Sequence, residues 1–103
     1  MSKNRSFSGG ISQRYALALL ELSNETNKTE ENVSTLSSFM KIYNSDDNLK
    51  NYIKNPTNTN QNQKEVFEKI LNVINANKII KNFFFILIIK KRIFFVGEII
   101  EEF

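Results

Sequence analysis

Three sets of side chains in this sequence could carry chemistry: the carboxylates Glu98, Glu101 and Glu102, the cations Lys90, Lys91 and Arg92, and Tyr15 on an otherwise apolar stripe. Paired carboxylates perform acid–base work when a pocket drives their proton affinities apart. These three lie opposite Val96, Ile99, Ile100 and Phe103 on an amphipathic pattern, which reads as a solvated face with no pocket implied. Adjacent cations suit a phosphate or a lipid headgroup, or else the C-terminal end of a helix, where each stabilises by about 0.3–1 kcal/mol. The helix-end account is the simpler one. Tyr15 on an apolar face is ordinarily a core tyrosine with its hydroxyl at the rim. The chain has neither Cys nor His, so thiolate nucleophiles, Cys/His zinc sites, haem ligation by His and histidine acid–base catalysis are all unavailable. It also lacks a Gly-rich phosphate loop. The expectation is a chain without catalytic residues, cofactor, metal or nucleotide.

Composition sets the frame for whatever positions those residues. At 103 residues and 41% hydrophobic content the chain fits one domain with a modest core. A formal charge of +3 is mildly basic, and the Lys and Arg are scattered along the chain rather than gathered as a nucleic-acid binder gathers them. The opening residues MSKNRSFSGG lack an apolar signal core, and the Gly9-Gly10 pair marks the end of a flexible tail over residues 1–10.

Periodicity then predicts an all-α fold, a compact six-helix bundle over 11–103. The first helix, from Ile11 to Glu25, carries Tyr15, Ala18, Leu19 and Leu22 on one stripe, widened by Ala16 and Leu20 beyond the roughly 100° arc of a simple surface helix. A second opens at Lys28 or Thr29 with Val33, Leu36, Phe39, Met40 and Tyr43 inward. A short third, capped by Ser45, Asp46 or Asp47, buries Leu49, Tyr52 and Ile53 and stops before Asn55-Pro56. The polar run NPTNTNQNQ reads as a surface connection tolerant of change. A fourth helix, from about Asn62 to Asn75, places Val66, Phe67, Ile70, Leu71, Val73 and Ile74 inward. A corner at Asn75-Ala76-Asn77 leads into a fifth from Lys78 to Lys91, and a sixth begins at about Ile93.

The fifth helix organises the rest. Phe83 to Ile89 is an unbroken apolar run, FFFILII, so a helix carrying it is apolar all the way round. It is too short for the roughly 20 apolar residues of a membrane span, being closed by Lys81-Asn82 and by Lys90-Lys91-Arg92. A buried strand is the rival reading, but Ile79, Ile80, Phe83, Phe84, Ile86 and Leu87 continue a helical spacing without Gly or Pro. Neighbours in so small a domain cover only part of its circumference. It is both the central staple of the bundle and a surface for a partner.

The order of RYALAL at 14–19, NP at 55–56 followed by KEVFEKIL, NFFFIL at 82–87, Arg92 and IIEEF at 99–103 resembles the N-terminal domain of the ATP synthase delta subunit, the oligomycin sensitivity-conferring protein of mitochondria. The resemblance covers 11–103. It implies a non-catalytic peripheral-stalk, or stator, subunit on the cytoplasmic face of the bacterial inner membrane, with no membrane insertion of its own. In the family the groove between the first and fifth helices clamps the N-terminal helix of an alpha subunit. On this chain that groove is assigned to Tyr15, Ala18, Leu19 and Leu22 with Phe83, Ile86 and Ile89. The family's contact with the b subunits belongs to a second, C-terminal domain that these 103 residues do not include, and the isolated domain is expected to be a monomer. The alternative reading is a small helical nucleic-acid-binding module of the antitermination-factor type.

Overall fold

A computed structural model describes residues 9–103; of the tail expected over residues 1–10, residues 1–8 lie outside the described residues. Six helices follow in order: α1 (Gly9–Glu25), α2 (Thr29–Ser45), α3 (Asp47–Lys54), α4 (Asn60–Val73), α5 (Lys78–Ile89) and α6 (Val96–Glu102), the last led in by a 3₁₀ turn over Ile93–Phe95. The described residues contain no strand. None of the helices is long and apolar enough to cross a membrane. Gly9 and Gly10 belong to the first turn of α1 rather than to the tail, a helix terminus being where glycine is best tolerated.

Local signals explain most boundaries. Asp46 caps α3 by accepting from the amides of Asn48 at 2.9 Å and Leu49 at 3.2 Å. Thr59 caps α4 through Asn62 N–H at 3.0 Å, and Asn77 caps α5 through Ile80 N–H at 3.0 Å. Three helices end in one motif: Asn27, Asn75 and Lys91 adopt φ of 58°, 58° and 61°, and the next amide reaches back five residues, Lys28 to Ser23, Ala76 to Leu71 and Arg92 to Leu87. Asparagine tolerates this left-handed conformation and lysine does not favour it. Because Lys91 nevertheless adopts it, helix α5 stops at Ile89, short of the Lys91 expected as its end.

The core closes on α5. Phe39, Phe67 and Phe84, from α2, α4 and α5, form a triangle with ring centroids 5.0–6.2 Å apart and no exposed surface. Ile80 and Leu87 extend this buried side along α5, while α1 packs chiefly on α6 and α4 on α5.

Several sequence expectations give way. Val33 and Val73, expected inside, are exposed, and Asn32, Thr35 and Gln63 are buried instead. Asn32 is held there by polar partners: its Nδ2 donates to Ser23 Oγ at 2.7 Å, and its Oδ1 accepts from Asn77 Nδ2 at 2.8 Å, tying α1, α2 and the head of α5 together. The polar 55–63 run is built rather than slack. Asn55 Oδ1 accepts from Thr57, Asn58 Nδ2 donates to the Tyr52 carbonyl at 3.0 Å, and α4 starts at Asn60. Glu98 leaves the solvated face: it is half-buried and accepts a 3.2 Å bond from the fully buried Ser12 hydroxyl, joining α1 to α6.

Candidate interhelical groove

Helices α1 and α5 face each other across side chains rather than by close backbone packing, and the space between them is an open groove of about 310 Å³. Tyr15, Ala18, Leu19 and Leu22 supply one wall; Lys78, Ile79, Asn82, Phe83 and Ile86 supply the other. Leu19 and Phe83 form a buried floor, whereas Leu22 and Ile86 stand at the lips, 43% and 46% exposed. Ala18 contributes no bulk, so the α1 wall is low at its centre. From Tyr15 to Leu22 the wall runs for about 10 Å at 1.5 Å per residue, two turns of an opposing helix.

Tyr15 is fixed from two sides. Its ring meets Phe83 edge-on at 6.2 Å, and its hydroxyl accepts from Arg92 Nη1 at 3.1 Å. Arg92 can reach it because the left-handed Lys91 turns the chain sharply after α5. Lys91 itself donates to Asn60 Oδ1 at 2.9 Å. The cation run at 90–92 thus has a use the sequence did not disclose: Arg92 sets the rotamer of an aromatic in the groove wall.

Six of the seven residues expected in the groove line it. Ile89 does not: it is 65% exposed and faces a depression between α4 and α5, beside Phe85 and Lys64. Two steps of three residues from Phe83 rotate a side chain by about 120° on a helix of 3.6 residues per turn, enough to carry it to another face. Ile79 and Asn82 take the place it was given. With Phe83 and Ile86 they make an i, i+3, i+4, i+7 stripe that was present in the sequence; a polar Asn within it hid the pattern.

Among the described residues no group of His, Cys, Asp or Glu could hold a metal ion, and the groove carries no carboxylate. Fold and site together define an all-α domain with an apolar groove open to water, whose walls carry as polar groups a lysine, an asparagine and the Tyr15 hydroxyl. The family model for the ATP synthase delta (OSCP) subunit matches residues 11–103, and the chain belongs to that family. It is similar to the ATP synthase subunit delta of Pelagibacter ubique (strain HTCC1062), 36% identical over 103 residues, covering 100% of this chain and 56% of that protein. The subunit delta of Syntrophus aciditrophicus (strain SB) is 35% identical over 89% of this chain and 51% of its own length; that of Nostoc sp. (strain PCC 7120) is 31% identical over 90% and 50%. The chain thus spans about half the length of the curated relatives it matches.

Proposed function

We propose that this domain is a non-catalytic part of the peripheral stalk of an ATP synthase and that the α1/α5 groove receives the N-terminal helix of an alpha subunit. The observation that carries the reading is the pair of half-exposed lips, Leu22 and Ile86, over a buried apolar floor. Apolar side chains held open to water along two turns are what an amphipathic helix covers with anchors at three- and four-residue spacing. Family membership supports the partner's identity and the assembly. No contact with b subunits is proposed for these residues. A nucleic-acid interface is disfavoured by the site itself, whose walls carry one cation, Lys78.

The test is a titration of the ¹⁵N-labelled chain with a synthetic peptide of the alpha N-terminus. Amide shifts concentrated on α1 and α5 are expected, with none from duplex DNA. Shifts on α2 and α4 instead, or binding of DNA without binding of peptide, would overturn the assignment.

A further inference from the structure

Five polar side chains are buried among the described residues: Ser12, Ser23, Asn32, Thr35 and Gln63. The first four are bonded, Ser12 to Glu98, Ser23 and Asn32 to each other, and Thr35 to the Glu31 carbonyl. The Gln63 carboxamide has no partner among the described residues although Gln63 is only 7% exposed. Buried amides are nearly always satisfied because leaving one unmade forfeits its solvation, so an exception needs an explanation.

Gln63 lines a depression of about 230 Å³ between the C-terminal end of α3, the 55–58 turn and the corner from Lys91 to Phe94. Ile53 and Ile93 make a buried apolar floor, Phe94 stands at the lip 56% exposed, and Lys54 and Lys91 supply two cations with no carboxylate in the lining. The neighbouring carboxamides are already engaged, Asn55 with Thr57 and Asn58 with the Tyr52 carbonyl. A ligand here meets one unpaired donor–acceptor amide, two positive charges and an apolar edge.

We propose that this depression binds an acidic peptide segment. A main-chain peptide group offers the acceptor and donor that the Gln63 carboxamide lacks, whereas a carboxylate alone would leave the Gln63 carbonyl unpaired. An acidic side chain on the same segment meets Lys54 and Lys91, and an apolar one covers Phe94 and Ile53. The site shares no residue with the α1/α5 groove, so the two assignments stand or fall separately.

The test uses the ¹⁵N-labelled 103-residue chain at low salt, titrated with the acetylated peptide amide Asp-Leu-Glu-Leu and its neutral counterpart Asn-Leu-Gln-Leu. The acidic peptide should shift the Gln63 side-chain NH₂ and the Phe94 amide while leaving Tyr15 and Ile86 unmoved. The neutral peptide should bind about tenfold more weakly, and Lys54→Gln and Lys91→Gln should each weaken the acidic one several-fold. Gln63→Met should abolish binding without lowering the melting temperature, since it replaces an unpaired amide by an apolar group of similar length. Absence of shifts at roughly millimolar peptide, or equal binding of the two peptides, would overturn the proposal. So would a marked fall in melting temperature for Gln63→Met, which would mean that the amide is already satisfied in the free chain.

Discussion

The two sides of α5 are made of the same residue types and do opposite things. Ile80, Phe84 and Leu87 have no exposed surface, with Phe84 set against Phe39 and Phe67; Phe83 and Ile86, each one residue before Phe84 and Leu87, face α1 across an open groove. What differs is coverage. Helices α2 and α4 bring aromatic rings to within 5.0–5.8 Å of the Phe84 ring, while α1 presents Ala18 and half-exposed Leu22 to the other side. An apolar helix surface becomes core or open groove according to the neighbour opposite it, not according to its own composition.

Paired alanine substitutions would break that comparison most directly. Phe84→Ala empties the centre of the aromatic triangle and should cost about 3–5 kcal/mol of stability, a large share of what a small domain possesses. Ile86→Ala, on the same helix, should cost less than about 1 kcal/mol of stability yet weaken the alpha peptide by roughly 1–3 kcal/mol. Thermal melts and the peptide titration read the two effects apart. If Ile86→Ala unfolds the chain as readily as Phe84→Ala, the groove side is core after all.

Next in size is the polar tie at the head of α5. Asn32→Ala strips a partner from both Ser23 and Asn77, groups held between three helices, and should destabilise by about 1–3 kcal/mol, more than truncation of the apolar but exposed Val33 beside it. Chemical denaturation of the two variants gives the order. A larger loss at Val33 would reverse the burial assignment. On the groove side, Tyr15→Phe keeps the ring against Phe83 and removes only the acceptor for Arg92, so peptide affinity should fall by about 0.5–1.5 kcal/mol, less than for Tyr15→Ala.

The fold class, the six helices, the α1 wall of the groove and two of the five residues of its α5 wall were legible in the sequence because they rest on local periodicity. The misplaced residues share one cause. Val33, Val73 and Ile89 each lie six residues from a correctly placed Phe39, Phe67 or Phe83. Each was reached by two consecutive three-residue steps, which leave a side chain about 120° from where it began. A stripe keeps to one face only when steps of three and four alternate. The polar interior was hidden for another reason: Asn32 is inside because Ser23 and Asn77 meet it there, and no window of sequence contains all three. The same holds for Arg92 and Tyr15, 77 residues apart, and for Ser12 and Glu98.

The smallest expected effect lies where that polar tie reaches the surface. Asn77 Nδ2 also donates to Glu31 Oε2 at 2.9 Å, and this bond, followed by the nearby Lys28 ammonium 3.5 Å from the other carboxylate oxygen, holds the Glu31 carboxyl below its usual value of 4.5. Because the folded state binds this proton less readily than the unfolded chain, the stabilisation is fully present above the ordinary glutamate range and is lost as pH falls through the lowered value. Glu31→Gln cannot take part in that titration. Melting temperatures at pH 7 should therefore place the wild-type chain slightly above the variant, and the gap should close on acidification below pH 4.5. The carboxylate is exposed, so added salt should narrow the gap at pH 7 as well. A gap that is the same at both pH values would mean that the ionised form of Glu31 contributes nothing through Asn77 and Lys28. The bond from Asn77 would then count as a neutral one that a glutamine accepts less well, and the charge would add nothing to the side of α5 that α2 closes.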